Sequence, residues 1–327
     1  MRLRSWAANV AMFGLTGLQA GIAMPATGPA DAPEKPTMAV PASQHSVLPA
    51  TAPQSGPDMG KLLATGGVSQ VEGAGGGGLT PWALITGYGT RDSYGANVHL
   101  TSLRTADYGL QTAGVAVGFA DRFELSLARQ HFKGHLAPLD QLDLKMDTVG
   151  IKLKLAGDAV IEQDRWLPQI AAGVMFKRTD KVGGLGALGV TNVMQLGATS
   201  DHGTDYYLSA TKLFLDQSLL INATVRATKA NQMGLLGFGG DRNDRYRPMF
   251  EGSLAYLIDR RTVVGIEYRM KPRNLSVDSE KAYRDIFLAY FPTKNVSLTA
   301  AWVSLGDITI FNPKRQDGLY LSLQAGF

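Results

Sequence analysis

The chain has 327 residues with 38 glycines and no cysteine, so disulfides, thiol catalysis, thiolate metal sites and lipoprotein acylation are all excluded. Its mean hydropathy of −0.04, with no 18-residue uncharged apolar run beyond the N-terminus, excludes a bundle of membrane helices. A net charge of +4, from 32 basic and 28 acidic residues without a basic block, argues against nucleic acid as a partner.

In chain order, residues 1–23 read as a secretory signal peptide. Arg2 and Arg4 form its charged start, Ala7 to Leu18 its apolar middle, and Gly21-Ile22-Ala23 its small-residue cleavage site. Residues 24–59 carry eight of the fifteen prolines among Ala, Ser, Thr and Gln, a composition that cannot bury a core and predicts an extended linker. Residues 60–80 are Gly-rich, and 81–327 form the main domain.

From Trp82 the chain breaks into segments of about ten residues with apolar alternation, the length a tilted strand needs to cross a bilayer. In 122–130, Phe123, Leu125 and Leu127 alternate with Arg122, Glu124, Ser126, Ala128 and Gln130. In 149–155, Val149, Ile151, Leu153 and Leu155 alternate with Gly150, Lys152 and Lys154. In 219–227 the inward set includes Asn222, Thr224 and Arg226; in 250–258 it includes Glu251 and Ser253; in 264–269 it is Glu267 and Arg269. The last nine residues place Leu319, Leu321, Leu323, Ala325 and Phe327 on one face and Tyr320, Ser322, Gln324 and Gly326 on the other. A final Phe after alternate apolar residues resembles the C-terminal signal that guides bacterial outer-membrane β-barrels through the barrel-insertion machinery. The pattern therefore predicts an all-β transmembrane antiparallel barrel in the bacterial outer membrane, with one face toward lipid and the other toward a lumen.

Counting back from a periplasmic C-terminus, short turns are expected near 292–294, 259–261, 216–217, 120–121 and 90–92, with a longer one at 156–165. External loops are expected near 305–316, 272–280, 230–246, 178–203 and 133–144, with a short one at 103–106. This sorting suits a barrel and not a soluble sandwich. It gives thirteen strands from Trp82, so something in residues 60–80 must also cross. Either Lys61 to Glu72 is a strand, making about 14, or the Gly-rich segment plugs the lumen; 12 strands is the alternative, because 82–89 and 280–291 alternate poorly.

The run GGVSQVEGAGGGGLTPWALITGYGTRD at 66–92, with GVAVGFADRFELSLARQHF at 114–132, resembles a family of uncharacterised proteobacterial proteins grouped as a domain of unknown function. The resemblance covers about Gly60 to Phe327. It implies an outer-membrane β-barrel of undetermined function and brings no catalytic residues.

Gly73, Gly75 and Gly78 formally match G-x-G-x-x-G, but no βαβ unit accompanies them, so no nucleotide cofactor is expected. The run Gly75, Gly76, Gly77 and Gly78 instead suits close backbone approach in a crowded lumen, with Glu72 free to pair with lumen cations. The expected lumen charges are Arg122, Glu124, Lys152, Lys154, Lys177, Arg226, Glu251, Glu267 and Arg269. Mixed signs point to a salt-bridged network, while Lys152, Lys154 and Lys177 together point to a preference for anionic solutes. A hydrolase would need Ser200-Asp201-His202 or His99 with Thr101, and an oxygen-ligated Ca²⁺ would need Asp241, Asn243 and Asp244; solvated loop residues explain both sets better. Two loops are apolar, Val182 to Leu196 and Met233 to Phe238, as a mouth for hydrophobic compounds would be. The sequence thus favours a barrel for passage of a small solute, porin-like or gated, over a structural or adhesion barrel, and over an enzyme.

Overall fold

Strict two-residue alternation forces each segment to show lipid-like side chains on one face and polar ones on the other, and a sheet of such strands has no edge only when it closes. A computed structural model of the chain describes residues 60–327 apart from Leu136, Pro138, Leu139, Lys181, Ala187, Leu188 and Glu280. The expected signal peptide (1–23) and linker (24–59) lie outside the described residues. Two short strands, β1 (Val68–Ser69) and β2 (Gly75–Gly76), pair with each other. Twelve long ones follow: β3 (Tyr94–Thr105), β4 (Tyr108–Phe119), β5 (Phe123–Gly134), β6 (Asp143–Ala156), β7 (Gln169–Thr179), β8 (His202–Phe214), β9 (Leu219–Thr228), β10 (Arg247–Leu257), β11 (Thr262–Arg269), β12 (Tyr283–Thr293), β13 (Val296–Thr309) and β14 (Asn312–Gly326). All twelve pair antiparallel with their chain neighbours, and β14 closes on β3 from Gly318↔Thr105 to Gly326↔Asn97.

The barrel has 12 strands, not 14. Lys61 to Glu72 is not a wall strand, nor is 82–89, although Trp82, Leu84 and Ile85 are as apolar as strand residues. Those side chains are 1–4% exposed, inside the barrel. The weakly alternating 280–291 does hold a strand, β12, whose Pro292 sits at a register shift between Tyr290 and Thr293, where a ladder donor is not required. An even count puts Tyr94 and Phe327 at one end. The described residues before Tyr94 therefore enter the lumen from the end where β14 also finishes, and no further crossing by them is needed.

Connections at that end span 120–122, 157–168, 215–218, 258–261 and 294–295. The opposite end carries the long loops 135–142, 180–201, 229–246 and 270–282, with tight turns at 106–107 and 310–311. The expected loop at 305–316 is instead an extension of the β13–β14 hairpin, irregular in register between Ser304 and Thr309. Gln316 there donates to Asp107 Oδ2 at 2.7 Å, tying the hairpin to the 106–107 turn.

The wall has the expected faces. Leu321, Trp302, Ile286, Leu208, Ile151 and Leu100 are 37–63% exposed around the whole circumference, whereas Thr101, Thr112, Ser126, Gln130, Thr224 and Glu267 are buried inside. A continuous apolar ring of this size on a closed barrel is stable only against hydrocarbon, so the barrel spans a membrane. Arg substituted at Leu323, near the middle of the apolar band on β14, should lower unfolding stability in phospholipid vesicles by about 2–4 kcal/mol. Gln324→Arg, one residue on and facing inward, should cost a small fraction of that in the same denaturant titration.

Candidate functional site

The lumen is filled by residues 60–90. This segment enters beside Tyr88, whose N–H donates to Phe327 O at 3.0 Å, and turns back on itself at the β1–β2 ladder. The glycines are there for space. A Cβ on Gly76 would sit 2.3 Å from Thr80 O, and one on Gly77 would sit 2.1 Å from Glu267 Oε1. With the side chains gone, the plug backbone exposes amides and carbonyls that must be paired inside a water-poor interior.

The wall supplies the partners. Glu124 on β5 accepts from Gly75 N and Thr86 N, both at 2.9 Å, and Lys152 on β6 donates to Gly75 O (2.7 Å), Leu84 O (2.9 Å) and Glu124 (3.0 Å). Glu267 on β11 accepts from Leu79 N at 2.7 Å and Thr80 Oγ1 at 2.6 Å. Pro81 O accepts from Ser209, Asn222 and Thr224, Ala83 N donates to Thr211 at 2.8 Å, and Trp82 Nε1 donates to Ser253 at 2.9 Å.

At the centre lies Glu72, fully buried. It contacts Lys177 on β7, Arg269 on β11 at 2.7 Å and Arg226 on β9 at 3.5 Å. Lys177 also meets Asp205 at 2.5 Å. Arg226 meets Asp205 at 3.2 Å and Glu251 through two bonds of 2.5 and 3.2 Å, and Arg269 lies 3.5 Å from Glu251. Three carboxylates thus balance three cations, and one carboxylate of the set belongs to the plug. Removing one partner from such a buried set leaves an uncompensated charge, at about 3–5 kcal/mol.

Of the expected lumen charges, Glu124, Lys152, Lys177, Arg226, Glu251, Glu267 and Arg269 all face inward and all hold the plug or one another. Arg122 does not: it is exposed in the 120–122 turn. Lys154 faces inward at the short-turn end, bonded to Asp121 at 2.7 Å beside Lys61, which meets Asp121 at 2.7 Å. The suggested anion preference of Lys152, Lys154 and Lys177 has no support in this arrangement, because each cation is committed to a carboxylate. Gly75 to Gly78 and Glu72 lie in the plug, and Phe327 completes the β14–β3 seam through Ala96. Sequence reasoning missed Asp205 and Asn97, and put Gln324 on the inner face without a role; Asp205 sits near the start of β8, among His202, Gly203 and Thr204, with no apolar alternation to place it.

The hydrolytic and metal candidates are not assembled. Ser200 Oγ and Asp201 Oδ1 both approach the same His202 nitrogen, Nδ1, at 3.1 and 2.7 Å, so the ring cannot pass a proton between them. Thr101 is bonded to Ser322 at 2.8 Å rather than to His99. Hydrogen bonds from the Ser276 hydroxyl and then its backbone N–H hold the Asp241 carboxyl below the usual range, while Asp244 turns to Lys229 and Asn243 to Asn274.

Above the plug, at the long-loop end, is an apolar cavity of about 380 Å³. Leu103, Leu110, Phe132 and Leu144 form its wall, and Val71 and Leu79 of the plug line it too. The two apolar loops singled out in the sequence close over it, with Leu185, Val190 and Leu196 from one and Met233, Leu235 and Leu236 from the other. The second loop reaches the ion network directly: Met233 O accepts from Lys177 at 3.1 Å and Gly234 O from Thr179 at 2.5 Å. Gln232 and Met233 adopt positive φ (46° and 65°), a conformation that costs a non-glycine residue energy and is held here by those bonds.

These features define a class, a membrane β-barrel with its own N-terminal plug and an apolar chamber outside it. Residues 65–324 match the family described as a protein of unknown function, DUF3034, and the chain belongs to that family. Comparison with curated proteins gives no match. Among solved structures the chain is similar to the KdgM porin, with 11% identity and TM-score 0.44 over 71% of this chain and 99% of that one. It is similar to the NanC porin, with 9% identity and TM-score 0.48 over 70% and 98%. It is also similar to the outer membrane protein Omp33 of Acinetobacter baumannii, with 11% identity and TM-score 0.40 over 73% and 100%.

Glu72→Gln should free the plug without unfolding the wall. Limited chymotrypsin digestion in detergent is expected to cut the variant at Leu79, Trp82 or Leu84, which are buried in the parent chain, while the barrel stays intact and heat-modifiable on a gel.

Proposed function

We propose that the chain is a gated passage in the bacterial outer membrane for small hydrophobic solutes. The observation that carries this reading is the apolar cavity with the plug as part of its lining. Such chambers of several hundred Å³, lined by hydrophobic and aromatic side chains, are what small-molecule sites look like. A solute there touches the loop at Met233, whose carbonyl caps Lys177, and Lys177 holds Glu72 of the plug. Occupancy is thereby coupled to the ion network that seats the plug. The long loops face outward from the cell and the short turns face the periplasm. The alternation of β14, ending at Phe327, serves as the signal read by the barrel-insertion machinery. Passage is favoured over catalysis because the polar groups of the lumen are spent on the plug. A closed structural barrel is the second reading, favoured by the filled lumen.

Uptake of 1-N-phenylnaphthylamine, an uncharged fluorescent probe that an intact outer membrane excludes, separates the two readings. Cells displaying the chain should take it up several-fold faster than cells displaying Leu110→Trp, which fills the chamber. Equal rates, with both proteins folded to the same level, would favour the structural barrel and remove the passage.

A further inference from the structure

The plug is gripped mainly from one side. Its bonds to Glu124, Lys152, Gln169, Lys177, Thr211, Arg226 and Glu267 come from β5 to β11. On the remaining arc, β12–β13–β14–β3–β4, the described side-chain bonds to the plug come from Asn97 and Gln324 near the short-turn end, to Ser69 and Thr86. From that level upward the wall carries buried polar groups without a partner: both ring nitrogens of His99, and the hydroxyls of Thr112 and Ser297. Thr148 Oγ1 and the Oε1 of Gln130 continue the line into β5 and β6, and Gln70 Oε1 answers them from the plug. Each of these residues is more than nine-tenths buried. Among the described residues, β7 to β11 have no such unpartnered side chain. Leaving a buried polar atom unpaired costs about 1–3 kcal/mol, so a run of them on one arc demands a role.

The register shows where the run leads. Leu103, Leu110, Phe132 and Leu144 line the apolar cavity as one cross-strand row. One inward row deeper, Thr101, Thr112 and Gln130 are paired partners. The next row brings Gln324, His99, Gly114, Ala128 and Thr148 side by side. Gly114 belongs to the design, because a Cβ there would sit 2.3 Å from the His99 ring. The row ends at a crevice of about 10 Å³ at the short-turn end, lined by Asn97, Ser297, Gln324 and Gly87 of the plug. That volume is about one water molecule, so the way is narrow while the plug is seated.

We propose that this arc is a seam between plug and wall through which small uncharged molecules with a hydrogen-bonding group pass from the apolar chamber to the periplasmic side, handed along by Thr112, His99 and Ser297. The inference rests on the reading of the chain as a passage. Neutral donors and acceptors suit an uncharged solute better than an ion. The opposite arc cannot serve, since opening it means separating the buried ions around Glu72.

The chain has no native cysteine, so single cysteines report only their own position. Thr112→Cys and Ser297→Cys place near-isosteric thiols in the seam, and Ser209→Cys and Thr224→Cys place them on the anchored arc. The four full-length variants, reconstituted in liposomes and checked for heat-modifiable folding, are treated with methyl methanethiosulfonate, itself small and uncharged, and followed by mass spectrometry. The seam cysteines should react at least tenfold faster than the anchored ones, and faster than with a trimethylammonium-bearing methanethiosulfonate. Equal protection of both arcs, faster reaction on the anchored arc, or no preference for the uncharged reagent would overturn the seam. Labelling requires no net transport, so a failure here is distinct from a failure of probe uptake in cells.

Discussion

The Glu72 carboxylate sits at the centre of a lumen that lipid encloses on every side, and its charge is met there by Lys177, Arg226 and Arg269. Each half of that arrangement is stabilised by the other. Without the plug, three buried cations would face Asp205 and Glu251 only; without the wall, an acidic turn among glycines would have no reason to fold. Mutual neutralisation therefore couples a segment of low intrinsic order to a rigid barrel. The remaining plug backbone then finds its partners because Glu72 fixes its depth and rotation.

That coupling explains why the wall is so unevenly polar. The arc from β5 to β11 is built to grip, with carboxylates and cations aimed at individual amides and carbonyls such as Gly75, Leu79 and Pro81. The arc from β12 through β14 to β4 is mostly neutral and bonds the plug, through Asn97 and Gln324, only near the short-turn end. A plug secured on one flank and merely adjacent to the other has a natural direction in which to part from the wall. The apolar chamber lies over both plug and seam, and its loop touches the gripping side at Lys177.

Much of the wall was legible because its physics has a period of two residues. Leu319 to Phe327, Phe123 to Leu127 and Val149 to Leu155 each show their lipid side without ambiguity, and the structure faces them outward. The plug misled for the same reason. Trp82, Leu84 and Ile85 are apolar whether they meet lipid or the interior of a filled barrel, and alternation alone does not say which, so a strand was expected where a plug segment lies. The hairpin at 305–316 misled in the opposite sense: Lys314, Arg315 and Gln316 read as loop, yet their strand continues past the apolar band, where both faces meet polar surroundings. The identities of the lumen charges were readable, but not their allegiance. Lys152 and Lys177 share a face in any barrel; only the path of residues 60–90 turns them from pore cations into anchors.

The seated plug is tested most directly by hydrogen–deuterium exchange of the parent chain in lipid nanodiscs. The amides of Gln70, Val71, Gly75, Leu79 and Ala83 each donate to a carbonyl or side chain inside the lumen. Peptides covering residues 66–86 should be protected as strongly as those of the barrel strands. Exchange as fast as in the 157–168 loop would contradict the account.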